Sequence, residues 1–274
     1  MSAGAPPAVP SLDAGRRVAR ARLLAHLAMI LFATLIAGSF SLGKLAAPWL
    51  APAPLNAARF VLATLVIGFV ALFRSRTFFA RPARPWRFVV FGGLISIYFI
   101  AMFMALERTG PVSTSAVFTL TPLMTALIGF VLVRQRISLA VSVSLLLAAA
   151  GSIWVIFRGD LAALLAFRPG EGEAIFLVGA VAYAFYAPLF ALWKGPEPLL
   201  QQTFWTLLAA TIWLILAAGP SLAATNCLAL PPVVGLTIVY LALFTTALTN
   251  FCLQYASRHL PGAKVMAYVY LTPV

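Results

Sequence analysis

Residues 105–122 read ALERTGPVSTSAVFTLTP, and residues 256–273 read ASRHLPGAKVMAYVYLTP. The two segments align without a gap, 151 positions apart, and both close on Leu-Thr-Pro. A repeat of this size inside an apolar chain points to a membrane transporter assembled from two similar halves. It also sets an expectation about length. The first copy runs on from Pro122 for about 35 residues, to Phe157, so the second is expected to continue past Val274.

Composition agrees with a membrane setting. Apolar residues make up 63% of the 274-residue chain, charged residues 9%, and the mean hydropathy is +1.02. A soluble domain could not carry that composition on its surface. The formal charge of +13 could suggest a nucleic-acid partner, but the basic residues sit in short clusters between apolar runs rather than on a face beside aromatics. That placement fits loops flanking membrane helices, so the expected partner is the lipid bilayer and not nucleic acid. Cys227 and Cys252 lie in apolar surroundings with no Cys or His at ligand spacing, and read as packing residues.

Residues 1–22 read as a disordered cytoplasmic tail, rich in Pro, Ala and Gly and ending in Arg16, Arg17, Arg20 and Arg22. An apolar run from Leu23 is too long for a signal peptide and lacks a small-residue cleavage site, so it reads as the first span. Further spans are expected near 55–73, 88–106, 112–133, 139–157, 174–193, 200–218 and 233–256, with a partial ninth from about 262. Residues 23–157 would form the first five-helix repeat, 158–173 an outer linker, and 174–274 the second repeat, cut short.

Loop charge tests this parsing. With the N-terminus inside, inner loops carry Arg74, Arg76, Arg81, Arg84, Arg87, Arg134, Arg136, Lys194, Arg258 and Lys264, while outer loops carry only Arg108, Arg158 and Arg168, offset by acids. Lys and Arg accumulate on the cytoplasmic side. Five helices per half is an odd number, so the second half must insert upside down. Glu107-Arg108 is accordingly neutral, whereas its repeat partner Arg258-His259 is basic.

With two inverted five-helix repeats in view, the chain resembles the drug/metabolite transporter superfamily, specifically its EamA-type members. The resemblance rests on GSFSLGK over 38–44, NAARF over 56–60, and the two copies at 105–122 and 256–273. It covers nearly all of 23–274 and implies an all-α integral membrane bundle of ten helices, about nine present here. It also implies a small-molecule substrate and a multi-pass location in a cell membrane, with a homodimer left open. Many Ala and Arg residues and the lack of N-x-S/T sequons fit a bacterial inner membrane. One departure is plain: where relatives often have a Gly-Glu-Arg-Leu-like sequence after helix 4, this chain has Arg134-Gln135-Arg136-Ile137.

Substrate-cavity candidates follow from helix interruptions and from polar residues inside spans. Pro122 has a counterpart in Pro273, and Pro188 aligns with Gly38; paired interruptions point to a midplane site. Lys44 and Arg59 are charged residues near the outer ends of helices 1 and 2. They either snorkel to the headgroups or form a basic outer entrance for an anionic group such as a carboxylate. Thr246, Asn250, Gln254 and Ser257 share one face of helix 8, Lys264, Tyr268 and Thr272 recur at four-residue spacing on helix 9, and helix 4 offers Thr114, Thr121 and Thr125. These stripes line a cavity or make interhelical hydrogen bonds. Tyr98, Tyr183 and Tyr186 would supply aromatic walls suited to amino acids or other amphipathic metabolites.

The six acidic residues, Asp13, Glu107, Asp160, Glu171, Glu173 and Glu197, all fall in the tail, loops or helix ends. A proton-coupled carrier usually needs a titratable group inside the membrane. The expectation is therefore facilitated exchange or downhill export of small metabolites, or coupling through unusual groups, without a cofactor or a metal. The sequence contains no G-x-S-x-G, no H-E-x-x-H and no buried carboxylate pair, so an enzyme is not expected. A non-transporting scaffold or sensor is the other reading.

Overall fold

The computed structural model describes residues 12–46, 48–73, 81–134, 139–157, 159–162, 170–193, 195–224 and 230–271. Its helices are α1 (Leu12–Ala46), α2 (Pro52–Leu72), α3 (Trp86–Arg108), α4 (Pro111–Phe118), α5 (Thr121–Val133), α6 (Leu139–Ile156), α7 (Glu171–Leu192), α8 (Leu199–Ala224) and α9 (Pro232–Ala242). A π-helical turn over Leu243–Leu248 joins α9 to α10 (Thr249–His259), and α11 (Gly262–Ala267) tightens into a 3-10 turn over Tyr268–Leu271. Pro52, Pro111 and Pro232 each open a helix, where a missing N–H costs nothing.

Among the described residues, seven segments are long and apolar enough to cross a membrane, with α4–α5 and α9–α10 each counting as one. The apolar helix α6 lies beside them. Leu65, Phe69, Val131, Leu147 and Leu236 are each more than 60% exposed, an arrangement that hydrocarbon favours and water does not. The protein is a polytopic helical membrane protein.

One expectation changes, and one interruption marked by a proline is located. Residues 12–22 are helical rather than a disordered tail: after Pro10 the run is dominated by Ala and Arg, strong helix formers that extend the first span outward. The fourth span is not continuous but breaks at Thr119–Leu120. Pro122 lacks the N–H that would bond back to Phe118, so the helix restarts with Pro122 in its first turn.

The sequence repeat is reproduced in the backbone at its central turn. α3 ends at Arg108 and α10 at His259. The next residues, Thr109 and Leu260, are extended (φ −134° and −123°), and each donates its N–H to the carbonyl four back, Ala105 or Ala256, at 2.8 Å. A new helix then starts at Pro111 or Gly262.

The two copies lie at opposite ends of the bundle. Arg108 closes α3 beside Glu171 at the start of α7, whereas Arg258 donates to the carbonyl of Glu197, the residue that pairs with Arg87 at the start of α3. α3 and α10 therefore run in opposite directions.

The core lies where the halves meet: α3 along α7, α2 across α8, and α1 along α9–α10. Thr64 and Thr211 share a hydrogen bond of 2.9 Å where α2 crosses α8. Two glycines permit close approaches between these helices. A Cβ on Gly92 would lie 2.5 Å from the Ala210 backbone nitrogen, and one on Gly179 would lie 2.8 Å from the Ala101 methyl.

Candidate functional site

The interior between the halves is aromatic on one side and polar on the other. Residues 183, 186 and 190 fall at helical spacing on one face of α7, and their rings form a column. Tyr183 and Tyr186 are 6.2 Å apart and Tyr186 and Phe190 6.0 Å, centroid to centroid. From the other half, Tyr98 of α3 stacks on Tyr183 at 4.4 Å, and Phe91 lies 5.4 Å from Tyr186. Phe118, at the end of α4, closes the group against Tyr98 and Tyr183.

Pro188 is buried in α7 one turn beyond Ala184. Its missing N–H frees the Ala184 carbonyl, and Thr125 of α5 donates its hydroxyl to that oxygen at 3.2 Å. The proline thus binds the broken α4–α5 span to the other half. Pro122 and Thr121 are both buried just past the break, and the Thr121 hydroxyl has no hydrogen-bond partner.

The polar side comes from α10. Gln254 is fully buried; its amide donates to the Tyr186 hydroxyl at 3.0 Å and more weakly to Thr206 at 3.5 Å, and its carbonyl accepts from Thr203 at 2.8 Å. Asn250 is buried and donates to the Thr246 carbonyl at 2.9 Å. Thr246 in the π-helical turn and Asn250, Gln254 and Ser257 on α10 are all buried.

Arg59 neither snorkels nor sits at an entrance. It is fully buried, two turns into α2, because that helix starts at Pro52. Its guanidinium fits against the π-helical turn, donating from Nε and Nη2 to the Thr246 hydroxyl at 2.9 and 2.7 Å, and from Nη2 to the Thr245 hydroxyl at 3.0 Å. It lies 4.3 Å above the Phe99 ring. Nη1 has no partner.

Lys44 is elsewhere: its ammonium caps the last turn of α3, donating to the carbonyls of Leu106 and Thr109, a favourable site for a cation. Tyr268 is half-buried, shares a 2.6 Å hydrogen bond with His26 Nδ1, and borders an open cleft of about 460 Å³ with Lys264 and Leu271. Thr272, Pro273, Gln135 and Arg136 lie outside the described residues. Tyr98, Thr121, Pro122, Tyr183, Tyr186, Pro188 and Gln254 therefore share the central region, while Asn250 and Arg59 meet at the π turn beside it.

Polar contacts between the halves at both ends escaped the sequence reading. At one end Thr109 donates to the buried Glu173 at 2.8 Å, and Arg108 pairs with Glu171. At the other, Arg87 and Glu197 form a buried ion pair at 2.8 Å, which Arg258 braces from within the second half by donating to Gln202 and to the Glu197 carbonyl. Burial pushes the Glu197 carboxyl up, but backbone hydrogen bonds and the Arg87 guanidinium outweigh it and hold the group below the ordinary carboxylate value. The opposite charge of 87 and 197 was visible in the sequence, yet nothing there brought them together across 110 residues.

Comparison with known proteins agrees with this architecture. Residues 23–157 match the EamA-like transporter family. The chain is 22% identical over 251 residues to the uncharacterized transporter YyaM of Bacillus subtilis (strain 168), covering 91% of this chain and 82% of that protein. A protein of known crystal structure superposes with a TM-score of 0.67 at 19% identity, over 93% of this chain and 85% of the other, a likeness of fold. With this match over its first half and two oppositely directed copies of one motif, the chain belongs to the EamA-type transporters of the drug/metabolite transporter superfamily.

Proposed function

We propose that this membrane transporter carries small amphipathic metabolites, amino acids or related compounds, through the interior seam between its halves, as an exporter or facilitated exchanger. The observation that carries the reading is the seam itself: an aromatic column faces hydroxyls and amides at its centre, and inter-half contacts close both ends. Rocking two inverted halves about such a seam would open one end as the other closes. The charge rule puts the Arg87 end, and with it the N-terminus, on the cytoplasmic side, and the composition suits a bacterial inner membrane.

The absence of a coupling proton is supported by where the carboxylates stand: each one among the described residues lies at a helix end or in a connection. Flux of a bound metabolite into proteoliposomes, measured with and without a pH gradient, tests this. We expect exchange that persists without the gradient. Strict proton dependence abolished by one substitution within a span would contradict it.

A further inference from the structure

We infer that Arg59 and the Tyr98 hydroxyl form the receptor for a carboxylate on the transported molecule. This rests on the transporter reading and names the substrate class for its seam.

Arg59 is a full positive charge about 10 Å inside its helix, with no exposed surface. Isolated charges are costly there and mark functional sites. Among the described residues, no Asp or Glu pairs with it. Hydroxyls of Thr245 and Thr246 and the Phe99 face satisfy part of the guanidinium, but none of these neutralises it. Nη1 remains a buried donor without an acceptor.

The second observation is independent. Tyr98 is 1% exposed and its hydroxyl also has no partner. Its ring packs on Phe99 at 4.8 Å, the same ring that carries the guanidinium. Buried polar groups are normally satisfied, so two orphaned donors packed on one ring need a common acceptor. A carboxylate offers two oxygens to two donors and supplies the missing charge. A phosphate dianion would leave oxygens unpaired.

The aromatic column continues from Tyr98 to Tyr183 and Tyr186, so the body of the ligand lies against rings. Tyr98 belongs to the first half and Tyr183 to the second, and their 4.4 Å stack is the contact that must part to admit it.

The test is binding to purified full-length protein in nanodiscs, with phenylacetate, phenylacetamide and phenethylamine as probes of similar shape. Phenylacetate alone should bind. Arg59→Gln should weaken it by about 10-fold or more, as for loss of a charged hydrogen bond. Tyr98→Phe, which removes only an unpartnered hydroxyl, should leave the empty protein as stable as before yet weaken phenylacetate several-fold. Because that variant keeps its ring, misfolding of Arg59→Gln would not blunt the test. Equal binding of amide and acid, or unchanged phenylacetate affinity in Tyr98→Phe, overturns the carboxylate receptor while leaving a ligand in the seam. Binding of none of the three overturns the receptor as well; persistence of metabolite flux in proteoliposomes would then preserve the transporter reading alone.

Discussion

Charge is scarce in this chain, and each buried instance is specific about its surroundings. Glu197 shows the sign most clearly. Its carboxyl is held below its ordinary value by Arg87 and backbone donors, with burial opposing them. It therefore adds stability above the unfolded value, about 4.3, and that contribution disappears as pH falls through the lower folded value. Unfolding in detergent should show wild type losing stability over this acid range and Glu197→Ala losing less. At neutral pH the substitution should cost about 3 kcal/mol, because it strands Arg87, whose side chain is 3% exposed. An acid profile identical to wild type would remove the ion pair from the account. Arg59 marks the opposite limit of legibility. Its type and rough position were readable, but its depth depended on the true start of α2 and on a neighbouring helix 186 residues away.

At the scale of the element, interruptions carry the design. The helix ends at Arg108 and His259 and the break before Pro122 follow from Gly, Pro and the repeat, so they could be read from sequence. The π turn could not. Leu243–Leu248 contains neither Gly nor Pro, and no local signal announces the widened turn into which Arg59 donates. π turns often accompany functional sites, and here the turn supplies the hydroxyls of Thr245 and Thr246 to a residue of the other half. Close helix approaches were legible as small residues, and Gly92 tests them. Gly92→Ala places a methyl against the Ala209–Ala210 backbone, which cannot yield as a side chain tip would. We expect a loss of about 1–3 kcal/mol in unfolding assays, whereas Gly151→Ala, with open space around it, should be neutral. Equal effects would show that α3 and α8 do not meet as closely as described.

For the molecule as a whole, membrane class, span number and inversion were open to sequence reasoning, because hydropathy, loop charge and one repeated motif are each local. The seam was not, since it depends on which helices of the two halves face each other. Both ends of that seam are closed by contacts that cross between halves, and the proposed alternation requires each set to open in turn. Thr121 reports on those openings directly: it is fully buried at the break in the fourth span, and its hydroxyl bonds to nothing, so a cysteine there is a mild change. In Thr121→Cys, with Cys227 and Cys252 replaced by Ser, a membrane-impermeant thiol reagent would be applied to one face of oriented vesicles and then, separately, to the other. Alternation of the two halves predicts slow labelling from each face alone. Labelling from neither face would contradict transport through the seam and make the protein a static membrane scaffold.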